Sequence, residues 1–345
     1  MRLSPTLLRL CLLLLFAATC QHVRAEHAVK TFNDIEWAKP KGFALTTDIY
    51  VPDTPQEAMP VLIIYHGGGW LLNSKSIMDD LAMYIARHAD YVVVNMNYRV
   101  LADINNTTTA NEIVEDAMGA VLWVKDNIAQ FKGDAQKIAV TGDSAGGHLA
   151  AMVTLAGNKL ESDGFAGSSL GFTPSYLPPG KSAEQVAAEN GLAVQATILS
   201  YAAFDLHAAA KNGFESANNP FWQWANASAR GLFGNSISVD KNPDYYHAVS
   251  PVQYIVKHDV RALGPQFVLV GSNDTMTPPA TSEAYVKQLK EAGQPAKLKI
   301  YPNRTHGFLD SGCPPYSSGC FSELATPTVK DMIAFLDEVF AKPQA

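Results

Sequence analysis

Ser144 stands in Gly142-Asp143-Ser144-Ala145-Gly146-Gly147, directly after the apolar run 137–140 and directly before the helical stretch 148–155. Gly-x-Ser-x-Gly at a strand-to-helix junction is the pattern of a nucleophile elbow. A serine at the tip of a sharp turn needs neighbours without a Cβ, so that the turn closes and a substrate can approach. The turn also feeds a helix N-terminus, whose free N–H groups and dipole favour negative charge beside the serine. A serine hydroxyl is a poor nucleophile at neutral pH, so it needs a base, and the base needs an orienting group. Asp274 and His306 are of the right types, and each follows a late expected strand, 266–270 and 296–301. Ser144 is read as the nucleophile, His306 as general base and then general acid, and Asp274 as the orienter of the imidazole.

A second glycine-rich motif, His66-Gly67-Gly68-Gly69-Trp70, follows the apolar run 61–65. Acyl transfer passes through a tetrahedral oxyanion, which preorganised backbone N–H donors stabilise, often by about 3–4 kcal/mol each. Gly67 and Gly68 are the expected donors, with Ala145, the residue after the nucleophile, as a third. His66 is expected to orient this loop rather than act as a base. His88 and His258 read as fillers, and His148 lies too near the elbow to serve as base. Asp205 also follows a strand end and is the alternative acid, while Asp143 is expected to brace the elbow by hydrogen bonding. The sequence has no metal-ligand cluster and no dinucleotide or phosphate loop, so no cofactor or metal is expected.

These residues need a scaffold that brings distant loops together. Residues 43–51 alternate as an early antiparallel strand, 61–65, 91–96, 137–140, 194–201 and 266–270 are apolar runs of strand length, and 296–301 is read as the last strand. Continuous apolar runs suit strands covered on both faces. Helical spacing is visible over 76–89, 111–131, 280–291 and 328–340, with Ile113, Ala117 and Val121 sharing one face. Alternating strand and helix predicts an α/β fold, a mainly parallel sheet with helices on both faces. All three candidate catalytic residues then fall at strand C-terminal ends, where open α/β sheets place their sites. The regularity fails over 157–191 and 207–247, which are expected to be cap or lid insertions into a single domain spanning 26–345. The second stretch is rich in aromatics, and Trp70, Trp222 and Trp224 are expected to contact substrate.

The chain has 345 residues, 47% hydrophobic and 17% charged, with a net charge of −7. That balance, with no basic run, argues against a nucleic-acid partner. Arg2 and Arg9 lead into the apolar run 10–18, too short for a membrane span and suited to a signal-peptide core. Val23-Arg24-Ala25 is a plausible cleavage site, which makes 1–25 a signal peptide and the protein secreted or periplasmic; a lipoprotein cut before Cys20 is the alternative. Cys313 and Cys320 would remain after cleavage, and two cysteines in an oxidising compartment most simply form one disulfide, two free thiols being the other reading. Five sequons occur, at Asn105, Asn106, Asn226, Asn273 and Asn303. Glycans on the last two would crowd Asp274 and His306, so the sequons are read as incidental.

His66-Gly67-Gly68-Gly69-Trp70, Gly142-Asp143-Ser144-Ala145-Gly146-Gly147, Asp274 and His306-Gly307-Phe308, in that order, resemble the hormone-sensitive-lipase-like branch of the α/β-hydrolase carboxylesterases. The similarity covers roughly 43–341. It implies an α/β-hydrolase fold, an oxyanion hole in the His-Gly-Gly-Gly segment and a cap over the site. The expected activity is hydrolysis of small-molecule carboxylic esters, with short to medium acyl or aryl groups, through an acyl-enzyme. Two alternatives stand beside it: an amidase or arylformamidase on the same triad, since Trp70 resembles the kynurenine formamidases, and a non-enzymatic cholinesterase-like binding module.

Overall fold

The computed structural model describes residues 26–341. The expected signal peptide and Cys20 lie outside the described residues. Eight strands form a sheet in the order β1-β2-β4-β3-β5-β6-β7-β8. They are β1 (Val29–Ala38), β2 (Leu45–Pro52), β3 (Met59–Tyr65), β4 (Val92–Met96), β5 (Gly133–Asp143), β6 (Ala196–Ser200), β7 (Gln266–Gly271) and β8 (Ala296–Tyr301). β2 runs antiparallel to both β1 and β4, and every other pairing is parallel.

Side chains alternate across a strand, so each inner strand feeds two cores. In β3, Val61, Ile63 and Tyr65 enter one core and Leu62 and Ile64 the other. Fully burying each such side chain contributes roughly 1.5–3 kcal/mol. The first core is covered by α2 (Ala110–Asn127), α3 (Ala145–Ala156) and α7 (Pro279–Glu291), and the second by α1 (Asp79–His88) and α8 (Thr326–Phe340). Among the shorter helices are α4 (Leu206–Lys211), α5 (Pro220–Trp224) and α6 (Pro243–Ala248). Among the described residues no helix is long and apolar enough to cross a membrane.

α2 starts where a capping pair allows it, with the Thr109 N–H donating to Glu112 Oε2 at 2.9 Å. Two acids on this helix, Glu112 and Asp116, are buried because Arg99 reaches them from the segment after β4. Its Nε and Nη2 donate to the two oxygens of Asp116 at 2.8 and 2.7 Å.

β1 is absent from the sequence reading for a physical reason. Its pairing with β2 slips between Phe32 and Ile35 and again between Glu36 and Ala38, and Asp34 has φ 54°. The bulges break the alternation that would mark a strand. The stretch 157–191 holds one isolated bridge, Leu160 to Phe172, and a short helix, Ala183–Ala188. The stretch 207–247 holds α4 and α5 and the start of α6 rather than an irregular loop.

Candidate active site

Four parallel strands end on the same edge of the sheet, and the loops that follow them meet. β3 runs into His66 to Trp70, β5 into Ser144, β7 into Asp274 and β8 into His306. Ser144 has φ 49° and ψ −115°, a conformation that costs a non-glycine residue about 1–3 kcal/mol. Its backbone is held by its N–H donating to Ser200 O at 2.9 Å and its carbonyl accepting His148 N–H at 3.1 Å. The turn is this tight because Gly146 lies against the end of β3. A Cβ on Gly146 would stand 2.0 Å from Tyr65 O.

Ser144 Oγ lies 2.9 Å from His306 Nε2, and His306 Nδ1 lies 2.8 Å from Asp274 Oδ2. The second contact makes Nδ1 the protonated nitrogen, which leaves Nε2 to accept from the serine hydroxyl. The other Asp274 oxygen accepts the N–H groups of Met276 and Thr277, each at 2.9 Å. Burial pushes the Asp274 carboxyl up, but the His306 contact and the Thr277 bonds outweigh it and hold it below the ordinary carboxylate range. The structure therefore brings Ser144, His306 and Asp274 together. Asp205, the alternative acid, instead caps α4, its Oδ1 accepting Ala208 N–H at 2.9 Å.

Behind Ser144 the carboxyls of Asp143 and Asp310 are both buried and interact, so that ionising both is disfavoured. Asp310 also accepts from the Tyr316 hydroxyl at 2.7 Å and from the Tyr201 hydroxyl at 3.3 Å. Burial and the neighbouring Asp310 charge drive the Asp143 carboxyl well above the carboxylate range, against an opposing influence of the Gly67 backbone. Burial likewise pushes Asp310 up to about 6, offset in part by the Tyr316 hydroxyl and the His306 charge.

Gly67, one of the expected donors, packs against Asp143, where an added Cβ would stand 2.2 Å from Oδ2. Gly68, at φ 123°, does line the cleft. Ala145 opens α3, where the first N–H groups have no partner within the helix. His66 is buried and stacked on Tyr98 with ring centroids 4.2 Å apart, its Nδ1 2.7 Å from Gly67 O. Burial lowers the imidazole to about 4, so it stays neutral, fastening the loop. Tyr98, unremarked in the sequence, donates its hydroxyl to His66 O at 2.5 Å.

The cleft over Ser144 has a volume of about 490 Å³ and is walled by Leu72, Phe221, Trp224, Met276, Pro315 and Tyr316. Of the three tryptophans expected on it, only Trp224 lines it; its side chain is exposed and packs edge-on to Phe221. Trp222 is buried, its Nε1–H donating to Phe214 O at 2.8 Å. Trp70 is also buried, its Nε1–H donating to His148 Nδ1 at 3.1 Å. Each indole N–H has its acceptor inside the protein, which turns these rings inward. The aromatics Phe214, Phe233 and Tyr246 join the same core, so most of the expected lid is packing beneath the cleft. Sequence did not single out Tyr316 or Asp310, whose roles depend on partners from distant segments.

Cys313 and Cys320 are joined in a disulfide. Among the described residues no group of three or more His, Cys, Asp or Glu side chains is arranged to hold a metal ion.

Sheet order, flanking helices and a serine on the turn after β5 define an α/β-hydrolase. The chain belongs to the BD-FAE family, whose model matches residues 47–289. It is 32% identical over 259 residues to Esterase LipQ of Mycobacterium tuberculosis, covering 74% of this chain and 52% of that protein. It is 28% identical over 275 residues to Carboxylic ester hydrolase LipN of the same organism, covering 73% and 58%. The matched region thus spans a little over half the length of these relatives. A native esterase structure, Est2 from Thermogutta terrifontis, superposes with a TM-score of 0.62 at 22% identity, covering 91% of this chain and 92% of the other, a likeness of fold.

Proposed function

We propose that this protein hydrolyses carboxylic esters through an acyl-enzyme formed on Ser144. The observation that carries the reading is the continuous contact Ser144 Oγ, His306 Nε2, His306 Nδ1, Asp274 Oδ2, at 2.9 and 2.8 Å, at the floor of an apolar cleft. His306 Nε2 takes the Oγ proton as Oγ bonds to the acyl carbon. The oxyanion accepts hydrogen bonds from the Gly68 and Ala145 amides. The imidazolium then gives its proton to the alcohol oxygen as that C–O bond breaks. Water attacks the acyl carbon, His306 takes its proton, and collapse returns that proton to Oγ and frees the acid. Asp274 stabilises the imidazolium and fixes its tautomer without taking the proton. The names of the relatives LipQ and LipN, an esterase and a carboxylic ester hydrolase, support the same reading.

A cleft of this size, bounded by Leu72, Phe221 and Trp224, suits short to medium acyl or aryl groups. The test is hydrolysis of nitrophenyl esters from acetate to palmitate, with a matched formamide, by wild type and Ser144→Ala. Serine-dependent turnover with a short- to medium-chain optimum is expected. Turnover that survives Ser144→Ala, or formamide cleavage far faster than any ester, overturns the reading. Organophosphate labelling confined to Ser144 separates an enzyme from a binding module.

Residues 26–345 are taken as one domain exported by the leader 1–25, a reading supported by the Cys313–Cys320 disulfide. N-terminal sequencing of the protein secreted by a host cell is expected to start near Glu26. Retention of the intact leader in the cytosol would refute export.

A further inference from the structure

The chemistry above, on whose ester-hydrolase reading this inference rests, divides the cleft into two sides. The oxyanion lies towards the Gly68 and Ala145 amides. The departing alcohol oxygen lies within reach of His306 Nε2, which protonates it. The alcohol half of the ester therefore occupies the His306 side. That side is walled by an element the triad does not need. The loop closed by the Cys313–Cys320 disulfide brings Pro315 and Tyr316 onto the cleft.

Tyr316 is fixed there from several directions. Its ring lies on Gly307, the residue after His306, where a Cβ would stand 2.6 Å from Tyr316 Cε2. Its hydroxyl donates to Asp310 Oδ2 at 2.7 Å. The loop turns through Ser317 N–H to Pro314 O at 3.1 Å and closes through Phe321 N–H to Gly312 O at 2.8 Å. Its base is tied to the neighbourhood of α1 by Ser311 N–H to Ile77 O at 2.7 Å and Gly312 N–H to Asp80 Oδ2 at 2.9 Å. A side chain held this firmly is nonetheless 49% exposed and lines the cleft. A rigid, half-open aromatic ring loses little entropy on contact with a ligand, unlike a ring that must first be ordered.

We propose that Tyr316 is a specificity-determining residue for the alcohol half of the substrate, presented by the disulfide-closed loop as a flat apolar wall that favours esters of bulky apolar alcohols over esters of methanol. The Tyr316 ring supplies the contact, and its bond to Asp310 and the disulfide supply the rigidity.

The test compares kcat/KM for methyl acetate, benzyl acetate and methyl phenylacetate in wild type, Ser144→Ala, Tyr316→Ala, Tyr316→Phe and the double variant Cys313→Ser/Cys320→Ser. Benzyl acetate adds bulk on the alcohol half and methyl phenylacetate on the acyl half. In Tyr316→Ala the benzyl-to-methyl acetate ratio is expected to fall about fivefold, through KM, the scale of one aromatic contact. The phenylacetate-to-acetate ratio is expected to fall much less. Tyr316→Phe keeps the ring and should keep most of the preference, and opening the disulfide should lower it part of the way. If Tyr316→Ala does not fold, judged by circular dichroism, Tyr316→Leu replaces it. An unchanged benzyl-to-methyl ratio, a loss confined to the acyl half, or an equal kcat loss on all three esters overturns the proposal while leaving ester hydrolysis standing. Wild type with no Ser144-dependent turnover of any of the three overturns both.

Discussion

The carboxyl pair beneath Ser144 makes the stability of the fold fall as pH rises, and Asp310→Asn isolates the effect. Asp310 is 4% exposed, and burial lifts its carboxyl from 3.8 to about 6 in the folded chain. The folded state thus holds a proton that the unfolded chain has already released, so the stabilisation is complete below about pH 4 and lost as pH climbs through 6. A carboxyl raised this far contributes about 3 kcal/mol in full. Between pH 4.5 and pH 8, where the unfolded carboxyl is partly ionised at the start, about 2 kcal/mol remains to be lost. Asparagine cannot ionise, so the variant does not undergo this loss. Asp143 remains in place beside it, and burial is the largest cause that keeps its proton on. Distant acids such as Glu115, which burial pushes up to about 7, titrate alike in both proteins and cancel. The assay is urea unfolding of wild type and Asp310→Asn at several pH values from 4.5 to 8, with the disulfide intact. The stability of the variant relative to wild type should rise by about 2 kcal/mol across that range. A difference that stays constant with pH, or moves the other way, would refute a raised Asp310 carboxyl in the folded chain.

Asp274→Asn should fold, since the amide fits the same space, yet lower kcat on a nitrophenyl ester by about 10³-fold or more by losing the imidazolium partner; a loss under tenfold would remove Asp274 from its role. Gly146→Ala should yield little soluble protein, because its Cβ would meet Tyr65 O at 2.0 Å, and wild-type yield and melting temperature would contradict that contact. Arg99→Met leaves Asp116 buried without its cation and should cost about 3–5 kcal/mol in urea unfolding, so a cost under 1 kcal/mol would count against the pair. Opening the disulfide with Cys313→Ser/Cys320→Ser should cost about 2–3 kcal/mol in the same measurement, and no change would mean the loop needs no covalent closure.

Strands β3 to β7 are legible in the sequence because they are flanked by cores on both faces, an environment that selects apolar stretches, whereas the edge strand β8 alternates through Lys297 and Lys299. β1 is not, because an edge strand with two bulges and a positive φ at Asp34 carries no regular period. The residues Ser144, Asp274 and His306 can be named from type, chain order and position at strand ends, all of which are local properties. The direction in which a group faces is not local. Gly67 and Gly68 are indistinguishable as letters, yet Gly67 packs against Asp143 and Gly68 lines the cleft. Trp70, Trp222 and Trp224 are likewise one residue type, separated only by whether a buried acceptor waits for the indole N–H. His148 Nδ1 and Phe214 O take the first two, and Trp224 stays at the rim.

The same contacts explain why a fold would keep two acids buried under its candidate nucleophile. A buried charge or shared proton is weak support for stability, and apolar replacement often does as well. Position is a different matter. Asp143 belongs to the elbow, packs against Gly67 of the His66 loop, and interacts with Asp310 of the loop that carries His306. Asp310 in turn takes hydroxyls from Tyr201, just after β6, and from Tyr316 in the disulfide loop. Three loops that must agree to within a fraction of an ångström are thus tied by directional bonds rather than by apolar contact alone, which would let them slide. If that is the role of the pair, Asp143→Asn, which keeps the size of the side chain and can donate to Asp310, should preserve turnover far better than the smaller apolar Asp143→Ala. Equal losses in the two variants would mean that the pair acts through its charge and not through its bonds.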